Sequence, residues 1–250
     1  MTTNQLTDQS INRLLAAQRP WRRALLNAHG GRRRASWCVV IRATFFFKRA
    51  LDLVGSVFAL VVLGPVFFLL ALLVRSDGGP VFFRQTRVGL NGRQFKMLKF
   101  RSMCVDAEQR LKDLLARNEK ASGVTFKMKD DPRITRVGKW LRKSSLDELP
   151  QFWNVFRGDM SLVGPRPPVP REVALYSLSD RRRLLVKPGI TCLWQVGERQ
   201  GGLLEIGDRN AIDFPEQVHL DVRYIEGQST GKDIWLLAKT VPAILFGKGM

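Results

Sequence analysis

Leu53–Val74 reads LVGSVFALVVLGPVFFLLALLV, 22 residues without a charge. One continuous helix of that length would reach about 33 Å, close to the roughly 30 Å hydrocarbon core of a bilayer. It begins too late, behind too long an arm, for a cleaved signal peptide. Gly64-Pro65 falls at its centre. Proline removes an amide donor and crowds the preceding turn, so a bend is expected there. Arg42, Lys48 and Arg49 precede the run and Arg75, Arg84 and Arg87 follow it. A positive-inside bias is therefore met at both ends. A helix–break–helix hairpin that enters and leaves by one face fits these flanks, and a kinked spanning helix stays open beside it. The backbone freed at Pro65 then needs an internal partner, such as Ser56 or a neighbouring helix. Lys48, Arg49 and Asp52 can stay at the headgroup level.

Outward from this segment the chain divides in three. Residues 1–47 hold eight arginines against Asp8 alone and read as a basic flexible arm on anionic inner-membrane lipid. Residues 48–75 form the membrane element. Residues 76–250 carry a foldable domain, within a chain of 250 residues and formal net charge +19. Such a charge asks for an anionic partner: lipid headgroups, phosphorylated substrates or nucleic acid. Cys38, Cys104 and Cys192 are far apart and form no CxxC pair, which excludes a disulfide framework and fits a reducing compartment.

In the domain, Val81-Phe82-Phe83 and Phe95–Phe100 flank Asn91-Gly92 and predict a short hairpin rich in cations. Val105–Asn118 predicts a surface helix. Ile134, Val137, Trp140 and Leu141 repeat at helical spacing, as do Leu149, Phe152, Trp153 and Phe156. Ile190, Cys192, Trp194 and Val196 alternate as one face of a strand. Asp233 is placed to cap a last helix from Ile234, whose apolar body and Trp235 suit a membrane interface. There is no Walker loop and no GxGxxG. These elements predict the α/β class, a small mixed domain with amphipathic helices.

Chemistry-bearing residues are few. With two histidines and three scattered cysteines, carboxylates are the natural carriers of catalysis. Arg142-Lys143-Ser144-Ser145-Leu146-Asp147-Glu148-Leu149-Pro150-Gln151 sets two acids behind two cations. Adjacent helical residues point about 100° apart, so the pair suits no proton-sharing dyad. One carboxylate for attack and one for a divalent metal is the better division. Ser145-x-x-Glu148 also matches a capping box, a purely structural alternative. In Gly164-Pro165-Arg166-Pro167-Pro168 the prolines hold Arg166 extended, so its planar fork loses little entropy on clasping a phosphate. A rigid turn with a solvated arginine is the alternative. Lys99 and Arg101 are cations on a predicted strand, and Asp221 an acid on a predicted helix.

Together these stretches resemble the bacterial sugar transferase family, monotopic polyprenyl-phosphate phosphoglycosyl transferases that initiate polysaccharide synthesis. The likeness runs from about Phe47 to Phe246. It includes Lys48-Arg49-x-x-Asp52, Gly64-Pro65, Pro80-Val81-Phe82-Phe83-x-Gln85-x-Arg87-x-Gly89, Lys99-Phe100-Arg101-Ser102-Met103 and Asp131-Pro132-Arg133-Ile134-Thr135. Leu146–Gln151, Asn154–Pro167, Lys187–Thr191 and Leu193-Trp194-Gln195-Val196 follow in order. The chain departs at Cys192, where glycine is frequent, and at Gly197-Glu198-Arg199. The four-helix N-terminal region of long members is missing, so a short form is expected.

The resemblance implies a small mixed α/β catalytic domain on a re-entrant membrane helix. It also implies transfer of a sugar 1-phosphate from a UDP-sugar, glucose or galactose, to undecaprenyl phosphate with release of UMP. Asp147 would be the nucleophile and form a covalent phosphosugar-aspartate. Glu148, with Asp147, would hold Mg²⁺. Arg142, Lys99, Arg101 and Arg166 are the expected phosphate-side residues, and Asp221 a weaker one. An anion attacking a phosphate about 4 Å away meets roughly 4 kcal/mol of repulsion at an effective dielectric near 20. That is nearly a thousandfold in rate, so cations must offset it. The expected location is the bacterial inner membrane with the domain on its cytoplasmic face. No nucleic-acid partner is expected, and self-association as a homo-oligomer is left open. A non-catalytic basic membrane adaptor is the rival reading. It explains the charge but leaves Asp147, Glu148 and the proline-flanked Arg166 without a role.

Overall fold

The structure is a computed structural model. It describes residues 42–76, 78–107, 109–110, 131–196, 198–199, 202–203 and 212–246. Most of the basic arm, and most of the helix expected over Val105–Asn118, lie outside these residues. The chain divides into two units, Met1–Lys48 and Arg49–Met250, and only residues 42–48 of the first are described.

No single helix is long and apolar enough to cross a membrane among the described residues. Instead α1 (Arg42–Val62) and α2 (Gly64–Ser76) meet at an angle of 62°. The break falls at Leu63, next to the Gly64-Pro65 step that predicts it. Amide bonds continue on both sides, from Leu63 N to Ala59 O (2.9 Å) and from Phe67 N to Leu63 O (2.8 Å). The Ser56 hydroxyl does not repair the break, because it donates one turn back to Leu53 O (3.1 Å). Val54, Phe58, Val61, Val62, Phe68, Leu69 and Leu72 are left facing outward. A surface this apolar exceeds what a water-soluble monomer tolerates.

The first turn of this element after Lys48 is locked to the domain rather than held at headgroup level. Arg49 donates to Val155 O (2.7 Å) and Phe156 O (2.8 Å). These are terminal carbonyls of a later helix, where a cation also complements the dipole. Asp52 is buried, and its Oδ1 accepts from Ser161 Oγ and Leu162 N, both at 2.9 Å.

β1 (Phe82–Val88) and β2 (Gln94–Phe100) form the expected antiparallel hairpin, with Phe82 opposite Phe100 and Val88 opposite Gln94. Asn91 (φ 53°) and Gly92 (φ 79°) adopt the left-handed conformations that an Asn-Gly turn supplies cheaply. α3 (Arg136–Lys143) follows, capped by Thr135 Oγ1 on Gly138 N (2.9 Å). A Cβ at Gly138 would sit 1.9 Å from the Ser102 carbonyl oxygen, so α3 lies directly on the end of the hairpin. α4 (Gln151–Arg157) ends at Gly158. β3 (Ser161–Val163) pairs in parallel with β4 (Gly189–Thr191), and α5 (Pro170–Ala174) lies between them in sequence. β5 (Glu198–Arg199) and β6 (Gly202–Leu203) pair antiparallel. α6 (Phe214–Glu226) and α7 (Thr230–Phe246) close the chain. Mixed helices and two-stranded sheets agree with the α/β expectation.

Two expected elements differ. The alternation at Ile190, Cys192, Trp194 and Val196 yields a strand only to Thr191, and Trp194–Val196 is a 3₁₀ turn. The buried side chains there pack into one core with Val155, Met160, Leu162 and Leu236, which overrides the period-two pattern. Asp233 lies inside α7 rather than capping it. It is buried and accepts from Tyr224 Oη (2.7 Å), while Ser229 Oγ accepts from Lys232 N at the helix start. A second core unites α2 with the chemistry. Leu70 and Val74 pack with Phe100 and Leu141, and Leu146 and Leu149 lie against this cluster. The two leucines bracketing Asp147-Glu148 therefore rest on a core shared with the apolar helix.

Candidate active site

The turn that carries the two acids is strained. Ser145 has φ 55° and ψ 17°, a left-handed conformation that costs a non-glycine residue on the order of 1 kcal/mol or more. The Ser145 side chain makes no capping bond to the turn, so the capping-box alternative is not what forms. Leu146–Glu148 is instead one turn of 3₁₀ helix that runs through Pro150 into α4. Pro150 suits this junction because it needs no amide at the first turn.

Both carboxylates converge on Lys99 of β2. Its Nζ lies 2.7 Å from Glu148 Oε1 and 3.9 Å from Asp147 Oδ2. Asp147 is buried, with 5% of its side chain exposed. Burial raises its carboxyl above the ordinary range. Lys99 and Arg142 pull it back down, and Glu148 adds to the rise. Arg142 donates through Nε to Ser102 Oγ (3.0 Å), and its own burial lowers it.

Beside this group is an open cleft of about 260 Å³, solvent at its mouth included. Lys99 and Glu148 line one side, with Arg87, Arg166, Gln151 and Gln195 around it. Arg166 makes no hydrogen bond or ion pair among the described residues. Arg87 is spent on holding the loop beneath it. It donates to Pro167 O (2.7 Å) and twice to Gln85 Oε1. Burial, then the nearby charge of Arg166, lowers Arg87 to about 10. Two guanidiniums side by side, one unpaired, make a site that favours an anion.

Three of the expected phosphate-side residues do not line the cleft: Arg101, Asp221 and Arg142, whose Nε is taken by Ser102. Arg101 is buried and turns the other way, donating to Val74 O (3.0 Å) and Gly78 O (2.8 Å). It closes the C-terminal end of α2, where a cation meets the negative end of the helix dipole. Asp221 is buried in the core. It is bound by Arg183 and by Trp194 Nε1 (3.2 Å), and burial raises it despite Arg183. Sequence reasoning missed Arg87, Gln151 and Gln195 as cleft residues. Gln85-x-Arg87 and Pro150-Gln151 stand in the stretches that carry the resemblance, and that was the available signal.

No group of three or more histidine, cysteine, aspartate or glutamate side chains capable of holding a metal occurs among the described residues. Asp147 and Glu148 nonetheless fit Mg²⁺ of the substrate-bridging kind. That ion takes one or two protein carboxylates and completes its shell with phosphate oxygens and water. The convergence of both acids on one cation, Lys99, shows that they can share a positive charge.

A family profile described as bacterial sugar transferase matches residues 43–247. The chain belongs to the bacterial sugar transferase family. Galactosyl transferase CpsE of Streptococcus agalactiae serotype III is 50% identical over 202 residues, which are 81% of this chain and 43% of that protein. Undecaprenyl-phosphate galactose phosphotransferase of Salmonella typhimurium is 42% identical, over 82% of this chain and 41% of its own. Exopolysaccharide production protein ExoY of Sinorhizobium fredii is 40% identical, over 81% of this chain and 87% of its own. The chain thus spans less than half the length of the first two relatives and most of the third.

Proposed function

We propose that this sugar transferase moves a sugar 1-phosphate from a UDP-sugar, of the glucose or galactose class, to undecaprenyl phosphate. UMP is released, as the first membrane step of exopolysaccharide or surface glycan synthesis. The observation that carries this reading is the meeting of Asp147, Glu148 and Lys99 beside a cleft bearing the unpaired Arg166. A basic membrane adaptor would give Asp147 no reason to be buried beside Glu148 and Lys99.

In this reading an Asp147 Oδ attacks the sugar-bearing β-phosphorus. The bond from that phosphorus to the UMP oxygen breaks and an aspartyl phosphosugar remains. A phosphate oxygen of undecaprenyl phosphate then attacks the same phosphorus and frees the Asp147 carboxylate. Asp147 is buried behind Lys99 and Glu148 and does not itself line the cleft, so in this reading Lys99 exchanges the two carboxylates for an incoming phosphate as the nucleophile is uncovered. Arg166 takes the remaining phosphate charge, and Arg87 fixes its loop. Mg²⁺ held by Asp147 and Glu148 would neutralise charge on the bridging phosphates.

Arg166 acts through geometry as well as charge. Arg166→Lys is expected to lose kcat/KM nearly as badly as Arg166→Ala, by about 100-fold, because lysine offers a point charge and no fork. Steady-state UMP release measures this, and a lysine variant with wild-type kinetics would reduce Arg166 to an ordinary surface cation.

The bent pair α1–α2, with its outward-facing apolar side chains, supports a reading in which the site lies at a bilayer surface. In this reading both flanks lie in the cytoplasm and the domain rests on anionic lipid of the inner leaflet, where the soluble donor and the lipid acceptor meet. Cysteines placed at Gln18 and Gly78, in a background without native thiols, are expected to resist a membrane-impermeant reagent in cells with a permeabilised outer membrane. Labelling of position 18 but not 78 would instead mean a spanning anchor. Pro65→Leu restores amide continuity and is expected to shift labelling in that direction.

A further inference from the structure

Two carboxamides line the cleft, and neither is accounted for by the transfer of phosphate. Gln151 is the first residue of α4, three positions beyond Glu148. It is 3% exposed, yet it faces the cleft and makes no side-chain hydrogen bond among the described residues. Its amide atoms are not sealed away from solvent, so its donor and acceptor open onto the cleft and are available to a ligand there. Gln195 stands elsewhere on the lining, in the 3₁₀ turn after β4. Its Oε1 accepts from the Cys192 thiol (3.1 Å), and its Nε2 has no partner among the described residues. Cys192 is 1% exposed, and burial pushes its thiol well above the ordinary range, so the proton it donates stays in place. With the oxygen engaged by that donor, the amide has one orientation, and its two N–H groups are the free face.

The charges in this cleft belong to Lys99, Glu148, Arg87 and Arg166, and these suit the phosphates. Beyond them the lining is neutral: the two carboxamides with Met97, Ile190 and Pro167. Neutral donors and acceptors beside apolar surface match hydroxyl groups on a ring. We infer that Gln151 and Gln195, the latter oriented by the Cys192 thiol, contact the glycosyl hydroxyls of the nucleotide sugar and set which sugar is accepted. Gln195 is then a specificity-determining contact and Cys192 a positioning residue that acts through it. The inference rests on the phosphotransferase reading above.

The test uses the full chain in detergent, with UDP-glucose and UDP-galactose as donors and UMP as the product inhibitor. Gln195→Met keeps the length and stays neutral while removing the N–H donors, and Gln195→Ala removes the whole group. Both are expected to raise KM for the better donor about tenfold or more and to narrow the ratio of kcat/KM between the two epimers. The inhibition constant of UMP, which carries no sugar, should stay within about twofold. Cys192→Ala is expected to move the same ratio in the same direction. Cys192→Ser, which keeps a donor, should restore most of it. Gln151→Met is the second neutral probe and is expected to shift the ratio without raising the UMP inhibition constant.

An equal loss on UMP would assign the carboxamides to nucleotide or phosphate and overturn the inference. So would kinetics unchanged for both donors, or a uniform fall in kcat with the epimer ratio intact. A thermal unfolding scan of each variant separates a lost contact from a lost fold. Wild-type protein that releases UMP from neither donor would overturn the phosphotransferase reading itself, and the inference with it.

Discussion

Asp147→Asn is expected to abolish UMP release, by more than about a thousandfold, and at the same time to raise the unfolding midpoint at neutral pH. The first effect follows because an amide cannot form the aspartyl phosphosugar. The second follows from linkage. Burial raises the Asp147 carboxyl in the folded protein above its unfolded value, so the folded state holds that proton more tightly. Stability from this group is greatest below the unfolded pKa and falls as pH rises through the folded one. Asparagine has no proton to lose and escapes that fall. The gain over wild type should therefore be largest near neutrality and shrink on acidification. Incubation of wild type with UDP-sugar alone should add a phosphosugar mass to the peptide holding Asp147, and the variant should gain none. An Asn variant that turns over near the wild-type rate would remove Asp147 from the chemistry. A variant equally inactive but less stable would mean that the charge holds the turn together instead.

The turn that carries Asp147 is built at a local cost. The strain at Ser145 and the desolvation of Asp147 are both unfavourable locally. They are offset by Leu146 and Leu149, which rest on the core made by Phe100, Leu141 and the Leu70 and Val74 of α2. Burying each such side chain contributes on the order of 1.5–3 kcal/mol. The last two turns of the apolar helix thus form part of the floor beneath the turn of Asp147 and Glu148.

How much of this was legible in the sequence depends on the range of the interaction. The break at Gly64-Pro65, the Asn91-Gly92 hairpin and the helical spacing from Ile134 and from Leu149 are local signals, and each element forms. The paired acids stood out because carboxylates are scarce in a basic chain, and Lys99 and Arg166 flank the cleft beside them. What failed was the direction of buried charges. Arg101 reads as one more strand cation, yet its carbonyl partner Val74 lies 27 residues earlier. Asp221 reads as a surface acid, yet Arg183, 38 residues away, holds it in the core. Arg49 finds Val155 across 106 residues. A sequence displays which donors exist, and only the packed chain decides which acceptor each one meets. The strand expected through Val196 failed for a related reason, because the alternating side chains all enter one core.

Arg101 supplies the second large effect, because its two readings predict opposite results. In the structure its guanidinium is buried and bonded to the carbonyls of Val74 and Gly78, the exit of α2. Arg101→Met removes both donors. The carbonyl of the exposed Gly78 can turn to water, but that of the buried Val74 is left unsatisfied, so a loss of about 1–3 kcal/mol is expected. Part of that loss falls on the seam between α2 and the turn of Asp147. The variant should unfold earlier on heating in detergent and be cut sooner by protease near Gly78. The fraction that stays folded should bind UDP-sugar with an unchanged KM. Arg101→Lys should recover part of the stability, since an ammonium can still reach a carbonyl. A residue that clasped phosphate would behave in the reverse way. KM would rise tenfold or more, UMP inhibition would weaken in step, and the unfolding midpoint would hold. The geometry sides with the first outcome, because a guanidinium spent on the end of a helix has no fork left to offer a phosphate.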